Sequence, residues 1–295
     1  MTDGPIAPAG FLSPAVQKLA RDTGIDVRTI AGSGAGGRVT ARDVERAAPS
    51  SSVATIEAVA PVATADRRVP FSAIRLRTAQ NLRQSIDAAV HALVVTEVDY
   101  SAVERARDDA AAAGPTLTYL PFVARAVVDA IRRYPEVNAI VDGDALLIRS
   151  AINLGFAVDL DHEGLIVPVV RDADHMRLAA IADHVADLGR RGRDHALRPD
   201  DFSAGTFTIT NVGRYGTLMA GPIINHPQVA ILSTDGVKMR PVALSDGHGG
   251  YVIGVHPIGN LSLSFDHRAF DGAYASAFLA LVRDTLETRD WGAEL

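Results

Sequence analysis

The sequence predicts an α/β sandwich with a mixed sheet, preceded by a small helical domain. Strand-like runs alternate with helix-like runs after residue 68, which is typical of an α/β domain. A stretch rich in Ala, Val, Ser and Pro at 49–66 has the composition of a flexible, extended linker. Two short helical patterns lie before that linker, and the chain shows no internal repeat.

The composition describes a globular protein and excludes several kinds of chemistry. Hydrophobic residues make up 47% of the 295 residues and charged residues 22%. The formal net charge of −6 argues against a nucleic-acid-binding protein. The chain has no Cys, which excludes thiolate catalysis, disulfides and Cys-ligated metals. Because no signal-peptide pattern or long apolar run occurs, we expect a cytoplasmic protein without a membrane partner.

The segment 10–48 predicts a compact helical domain. The Ser-Pro pair at 13–14 supplies an N-cap and a proline at the first helical position, and Gly24 can end that helix. A glycine-rich loop follows at 32–38, and a capping-box pattern at 40–43 opens a second helix. Because this loop follows a helix instead of a strand, we interpret it as a turn and not as a dinucleotide-binding motif.

The domain after the linker spans 68–295 and carries the sheet. We predict its helices, from apolar residues at helical spacing, at 72–86, 101–112, 120–134, 178–188 and 272–289. We predict its strands, from short β-rich runs bounded by turn residues, at 144–148, 152–158, 165–170, 206–212, 229–234 and in two runs between 251 and 265.

The strongest local signal is the segment 264–272, which reads SFDHRAFDG. An alternating strand delivers His267 at its end, and Gly272 opens the last helix. His267 and Asp271 lie four residues apart across this junction, so a carboxylate can hold the imidazole ring. A neutral imidazole near pH 7 suits a general base. The bare spacing is a weak signal, and the flanking residues carry most of the information.

The segment 264–272 resembles the SFDHRxxDG signature of the 2-oxo acid dehydrogenase E2 acyltransferases, a family that shares its fold and HxxxD motif with chloramphenicol acetyltransferase. Other parts of the chain are similar to the same family, namely 134–138, 155–158, 164–170, 207–211 and 223–227. The motifs at 13–16 and 36–39 resemble the peripheral-subunit-binding domain, which binds dehydrogenase partners. The resemblance covers most of 11–290 and implies a chloramphenicol acetyltransferase-like sandwich after a peripheral-subunit-binding-like domain.

The resemblance implies catalytic roles for three residues. His267 matches the general base of the family. Thr210 matches the hydroxyl that stabilises the tetrahedral oxyanion. Asp271 matches the structural acid of the motif, with Arg75 as a candidate ion-pair partner. No covalent acyl-enzyme is expected, because the two substrates can meet directly.

Binding residues follow from the same resemblance. Asn225 and Arg75 are candidate substrate-binding residues, and Arg38 is a candidate contact with a partner protein. Coenzyme A or acetyl-CoA is the expected co-substrate, in a channel between the subunits of a homotrimer. The segment 10–48 is expected to bind a dihydrolipoamide dehydrogenase or an E1 partner. We expect no metal, because Asp and His residues such as those at 159–162 are common at solvated turns.

Four departures from the family pattern shape the functional prediction. We expect no covalently bound lipoyl group on the chain, since the binding-domain-like segment comes soon after Met1. Gln17 replaces a basic residue, which should weaken partner binding. Gln80 and Asn81 replace a basic pair, which changes the charge near either the trimer surface or the CoA entrance. The polar ending at 288–295 predicts a free trimer.

These departures favour an acyltransferase that works outside a complex. We predict transfer of an acetyl group from acetyl-CoA to a hydroxyl of a small-molecule or carrier-bound intermediate, as in E2-like O-acetyltransferases of tetronate and polyketide antibiotic biosynthesis. The alternative is a dihydrolipoamide acyltransferase component of a 2-oxo acid dehydrogenase complex, with the lipoyl domain supplied in trans. A non-enzymatic scaffold is a third hypothesis, and the intact Thr210, His267 and Asp271 argue against it.

Overall fold

The computed structural model of the chain describes residues 13–47, 66–114, 117–160 and 164–295. The chain divides into two compact units, Met1–Val69 and Pro70–Leu295. The predicted linker falls almost entirely outside the described residues. Within the described parts, no helix is both long and apolar enough to cross a membrane.

The N-terminal unit is built from two helices around a small apolar centre. Its elements are α1 (Pro14–Thr23), a 3-10 turn (Val27–Thr29) and α2 (Ala41–Ala47). The predicted cap of α1 is present, because Ser13 Oγ accepts a hydrogen bond from the Val16 N–H at 3.4 Å. Gly24 ends the helix in a left-handed conformation with φ of 67°. The buried core of the unit consists of Val16, Ala20 and Val44.

Asp43 organises the glycine-rich loop between these helices. Its buried carboxylate accepts hydrogen bonds from the Ser33 N–H at 3.0 Å and from the N–H and hydroxyl of Thr40 at 2.9 and 2.8 Å. These hydrogen bonds hold the pKa of Asp43 well below its usual range, and the bond from the Ser33 backbone has the largest effect. One side chain therefore ties the loop to the start of α2.

We expect Asp43→Asn to destabilise the N-terminal unit. An amide has only one acceptor oxygen and no charge, and its NH₂ would face N–H donors. Hydrogen exchange of the full chain, followed by mass spectrometry at pH 7, should show protection within 13–47 falling by about tenfold or more. Asp22→Asn, at an exposed position of α1, is the matched control. Equal protection in the two variants would contradict the role of Asp43.

The lowered pKa of Asp43 also predicts how this effect depends on pH. A carboxyl whose pKa is lowered by folding stabilises the unit fully at pH values above the ordinary aspartate pKa. This contribution is lost as the pH falls through the lowered pKa. The difference between wild type and Asp43→Asn should therefore be largest at neutral pH and should shrink in acid.

The larger unit contains five helices and ten strands among its described residues. The helices are α3 (Ala73–Ala88), α4 (Ser101–Ala113), α5 (Tyr119–Arg133), α6 (Leu178–Arg193) and α7 (Gly272–Thr288). The strands are β1 (His91–Asp99), β2 (Ala139–Asp142), β3 (Ala145–Ile148), β4 (Leu154–Asp159), β5 (Leu165–Ile166), β6 (Val169–Val170), β7 (Phe207–Asn211), β8 (Ala230–Thr234), β9 (Lys238–Ser245) and β10 (Tyr251–Asp266).

Eight of these strands form one mixed sheet. The order is β1-β10-β8-β7-β4-β5, with β9 beside β10 and β6 beside β4, while β2 and β3 form a separate hairpin. The pairs β4–β7 and β7–β8 are parallel, and the others are antiparallel. The predicted α/β fold with a mixed sheet is confirmed.

The main core lies between one face of this sheet and helices that include α5 and α7. Alternate residues of the central strands point into it, as the two-residue period of a strand requires. The inward-facing residues of these strands are Phe207, Ile209, Ala230, Leu232, Leu261, Leu263 and Phe265. The residues between them lie on the opposite face, which carries Thr210.

The structure differs from the predicted elements at several strands. β1, β2 and β9 have no predicted counterpart. In β1 both faces carry apolar residues, since Leu93 and Val95 are exposed while Val94 packs on the core, and this hides the alternation. The predicted strand at 165–170 is interrupted around Pro168, which has no N–H to donate. The two predicted runs between 251 and 265 are a single strand of 16 residues.

Candidate active site

His267 lies directly after β10, in the turn that leads into α7. Its backbone N–H donates to the Val90 carbonyl at 2.8 Å, and its ring lies 5.5 Å from the Phe265 ring, measured between centroids. Its Nδ1 lies 3.7 Å from Oδ1 of Asp271, which is too long for a hydrogen bond. The imidazole is 46% exposed and Asp271 is 87% exposed. The ring is therefore accessible, with Nδ1 facing a carboxylate.

An ion pair between the buried Asp266 carboxylate and the half-exposed Arg268 guanidinium fixes the backbone around His267. The Arg268 guanidinium donates from Nη2 to Oδ2 of Asp266 at 2.6 Å and from Nε to Oδ1 at 3.0 Å. The Arg268 and Val90 N–H groups each donate to the same Oδ1 at 3.1 Å. Burial acts to raise the pKa of Asp266, but these hydrogen bonds outweigh it and the pKa lies below its usual range. Neither residue was predicted to have a role, although both belong to the SFDHR motif.

We expect Arg268→Ala to destabilise the protein by about 2 kcal/mol, because the Asp266 carboxylate would stay buried without its cation. Urea unfolding at pH 7 measures this loss. Arg283→Ala is the matched control, since Arg283 forms a similar pair with Asp284 that is exposed on both sides. That variant should change the free energy of unfolding by less than about 0.5 kcal/mol. Equal effects of the two substitutions would contradict the role given to Arg268 as the partner of the buried Asp266 carboxylate.

The same pair predicts a pH dependence. Because folding lowers the pKa of Asp266, its contribution is complete above the ordinary aspartate pKa and is lost as the pH falls through the lowered value. The destabilisation by Arg268→Ala should therefore be larger at pH 7 than below about pH 4, the range of an ordinary aspartate.

Thr210 lies far from His267 in a single chain. It is partly buried near the end of β7 and pairs in register with Ser233 of β8, which in turn pairs with Ser262 of β10. His267 follows Ser262 by five residues, which is about 16 Å along the strand, and two strand spacings of about 4.8 Å add to this distance. One chain therefore does not bring the predicted base and the predicted oxyanion donor together.

Asn225 lies at the same end of the sheet as His267. Its Nδ2 donates to Thr208 Oγ1 at 3.2 Å, and that hydroxyl donates to Gln228 Oε1 at 2.7 Å. Thr208 is level with Ser264 near the end of β10, because both pair with the same residue of β8. A cavity of about 260 Å³ opens here, and its lining includes Gly155, Val167, Phe202, Asn225, His226 and Gln228.

The remaining candidate residues have local roles in the structure. Arg75 is exposed in the first turns of α3, where its N–H donates to the cap residue Ser72 at 3.2 Å. Its pairing with Asp271 stays a prediction. Arg38 is exposed in the glycine-rich loop, and its carbonyl accepts from the Gly34 N–H at 2.9 Å. The described residues contain no group of three or more side chains that could hold a metal ion.

Comparison with known proteins identifies the family. The family model described as 2-oxoacid dehydrogenases acyltransferase (catalytic domain) matches residues 63–291. The chain belongs to this family. A second model, the e3 binding domain, matches residues 10–45 of the acyltransferase. The prediction that the chain is an acyltransferase enzyme is confirmed.

Three relatives illustrate the similarity. The acyltransferase is 36% identical over 289 residues to the dihydrolipoyllysine-residue succinyltransferase component of the 2-oxoglutarate dehydrogenase complex of Escherichia coli K12, covering 94% of this chain and 70% of that protein. It is 38% identical over 309 residues to the dihydrolipoyllysine-residue acetyltransferase component of the pyruvate dehydrogenase complex of Mycobacterium tuberculosis, covering 96% of this chain and 56% of that protein. The solved structure of Azotobacter vinelandii dihydrolipoamide acetyltransferase has a TM-score of 0.70 and 31% identity, covering 77% of this chain and 96% of that one.

The prediction of a biosynthetic O-acetyltransferase is wrong. The relatives are components of 2-oxoacid dehydrogenase complexes, and the match extends over more than nine tenths of the chain. The departures that favoured the O-acetyltransferase, such as Gln17 and the polar ending at 288–295, concern partner binding and assembly. They carry no information about the acceptor, so they do not outweigh similarity along the whole catalytic unit. The alternative prediction, an E2 component, agrees better with these relatives.

Proposed function

We propose that this acyltransferase exchanges an acyl group between coenzyme A and a dihydrolipoyl group, as the E2 component of a 2-oxoacid dehydrogenase complex. The observation that carries the proposal is the 36% identity to the Escherichia coli succinyltransferase component over 94% of the chain. Both acyl carriers in this reaction are thiols, so one thioester replaces another. Such an exchange needs a proton acceptor and a stabiliser of the tetrahedral oxyanion, and it needs no covalent enzyme intermediate.

In the proposed mechanism His267 moves the proton. Its Nε2, the nitrogen that does not face Asp271, takes the proton of the attacking thiol, and the sulfur forms a bond to the thioester carbonyl carbon. Thr210 donates a hydrogen bond to the resulting oxyanion. When the intermediate collapses, the second sulfur leaves and takes the proton back from His267. The Azotobacter enzyme has been investigated for the catalytic roles of a serine, a histidine and an asparagine, a similar set of groups.

We extend the proposal to a site that two subunits complete. It is supported by the separation of Thr210 and His267 within one chain, since both are needed at one carbonyl. Exposed apolar side chains on α3, β1 and the β9–β10 hairpin are candidates for the contact between subunits. They are Ile74, Leu76, Leu82, Ile86, Leu93, Val95, Met239, Tyr251, Val252, Ile253 and Val255. A homotrimer is the assembly that the family resemblance implies, and whether the trimer is free stays a prediction.

The N-terminal unit extends the proposal to a protein partner. Its match to the e3 binding domain supports recruitment of a dihydrolipoamide dehydrogenase, and the exposed guanidinium of Arg38 is the group proposed to contact it. The expected lack of a lipoyl group on this chain stays a prediction.

Acyl transfer to free dihydrolipoamide tests the proposal. The purified oligomer should convert acetyl-CoA, succinyl-CoA or isobutyryl-CoA to the S-acyl product, read by mass spectrometry, with a turnover in the ordinary range of about 1–10³ s⁻¹. The dihydroxy analogue of dihydrolipoamide, in which both sulfurs are oxygen, is the matched control and should not be acylated. A folded oligomer that acylates the hydroxyls, or none of these acceptors, would overturn the proposal.

A further inference from the structure

The turn at 225–228 forms one wall of the cavity of about 260 Å³ that opens at the His267 end of the sheet. All four residues of this turn line the cavity. The turn is closed by its own backbone, because the Gln228 N–H donates to the Asn225 carbonyl at 3.1 Å. The residues that line the cavity include no Lys, Arg, Asp or Glu. The cavity therefore suits an uncharged segment of a substrate.

The backbone of Ile224, directly before this turn, is held by side chains from two distant parts of the chain. His91 Nε2, at the start of β1, accepts a hydrogen bond from the Ile224 N–H at 3.2 Å. The hydroxyl of Ser85, in the last turn of α3, donates to the Ile224 carbonyl at 2.6 Å. Ser85 and Ile224 are both 1% exposed. Because buried backbone groups need partners, these two side chains determine where the turn begins.

The hydrogen bonds of His91 assign a tautomer to its ring. Nε2 faces an N–H donor and has to accept from it, so Nε2 carries no proton. The proton of the neutral ring then lies on Nδ1, which is 3.3 Å from the Ala89 carbonyl oxygen and can donate to it. One neutral ring thus satisfies a backbone donor and a backbone acceptor. It links the start of β1 to Ile224.

The backbone next to His91 also holds the proposed general base. The His267 N–H donates to the carbonyl of Val90 at 2.8 Å. The Asp266 N–H donates to the carbonyl of Val229, the residue after the turn, also at 2.8 Å. Hydrogen bonds therefore connect the start of β1, the turn and the end of β10. The cavity wall and His267 are held at a fixed separation by these bonds.

We propose that His91 is a positioning residue for the turn at 225–228, and that this turn borders the uncharged chain of one thiol substrate. Coenzyme A and dihydrolipoamide both carry the thiol on an alkyl chain with amide groups. The amide side chains of Asn225 and Gln228 give the wall polar groups that suit such a chain. His91 acts through Ile224 and not on the reacting atoms. This inference rests on the proposed function, because that function supplies the two thiols.

His91→Asn and His91→Gln in the assembled enzyme test this role. The amide oxygen of Gln reaches the position of Nε2 and can accept from the Ile224 N–H, whereas the shorter Asn reaches only the position of Nδ1. We expect His91→Asn to raise KM for either dihydrolipoamide or CoA about 5- to 30-fold, as a buried N–H without a partner would. The other KM should stay unchanged, and His91→Gln should stay within about twofold of wild type. Acyl transfer measured in both directions gives both values.

Ser85→Ala approaches the same backbone from its other side and should raise the same KM, including where His91→Asn fails to assemble. Glu287→Ala is the matched control. It removes the acceptor of the Asp99 N–H at the opposite end of β1 and should leave both KM values unchanged. Unchanged KM values in His91→Asn and Ser85→Ala, an equal rise of both KM values, or a His91→Gln variant as impaired as His91→Asn would each overturn the inference.

Hydrogen exchange needs no acyl acceptor, so it separates this inference from the proposed function. Amides within 223–230 should exchange about tenfold faster in His91→Asn than in wild type, and His91→Gln should restore their protection. If exchange does not change in His91→Asn, the inference fails whatever the acceptor is. If the exchange pattern is as expected but the wild-type enzyme does not acylate dihydrolipoamide, the proposed function fails and the positioning of the turn by His91 stands.

Discussion

His267→Ala should lower kcat for acyl transfer by about 10²- to 10⁴-fold, the usual contribution of a positioned general base. The side chain is 46% exposed and makes no hydrogen bond that holds the fold, so the variant should unfold at the wild-type temperature. Steady-state kinetics with dihydrolipoamide and calorimetry measure the two quantities. His175→Ala is the matched control, because His175 is exposed and lies in a turn before α6.

The pH profile separates a general base from a binding residue. An alkyl thiol with an ordinary pKa of about 8.5 is mostly protonated at pH 7, and its thiolate fraction rises about tenfold per pH unit below that pKa. The residual rate of His267→Ala should therefore rise with pH toward about 8.5, because solvent then removes the proton. A variant whose rate does not depend on pH in this way, or whose defect lies in KM alone, would contradict the assignment of proton transfer to His267.

The elements with strong apolar periodicity were predictable from the sequence. The last helix was predicted at 272–289, and α7 spans Gly272–Thr288. Its inward positions, such as Phe278 and Val282, recur at helical spacing and are fully buried. The strand β9 was missed because Lys238, Arg240 and Pro241 do not resemble a buried strand; it lies at the edge of the sheet, where such residues are tolerated.

The local part of the site was predictable, and the long-range part was not. His267 and Asp271 meet because a strand end and a helix start are separated by a short turn, which is a property of nine consecutive residues. The distance between Thr210 and His267 depends on the register of β7, β8 and β10, which no local pattern encodes. The pair Asp266–Arg268 was hidden for another reason, because charged residues in sequence give no sign of which carboxylate becomes buried.

Thr210→Ala should lower kcat by about 10²- to 10³-fold, as loss of an oxyanion donor does. Activity should return when chains carrying Thr210→Ala and chains carrying His267→Ala are mixed in one oligomer. Each chain then keeps the group that the other lacks, and a site formed between two subunits can contain both. Consider a cyclic trimer in which each site takes His267 from one chain and Thr210 from the next. Every mixed trimer then has one intact site out of three. Mixed trimers should therefore recover about a third of the wild-type kcat.

Co-expression of the two variants with different affinity tags, followed by purification through both tags, isolates these mixed trimers. Mixed trimers in which both tagged chains carry His267→Ala are the control, and they should stay as inactive as the single variant. Recovery in the first preparation alone requires that Thr210 and His267 act from different chains, as their separation on one sheet demands. If the mixed trimers are no more active than either parent, each chain must build its site alone. Thr210 would then lie too far from His267 to be the oxyanion donor.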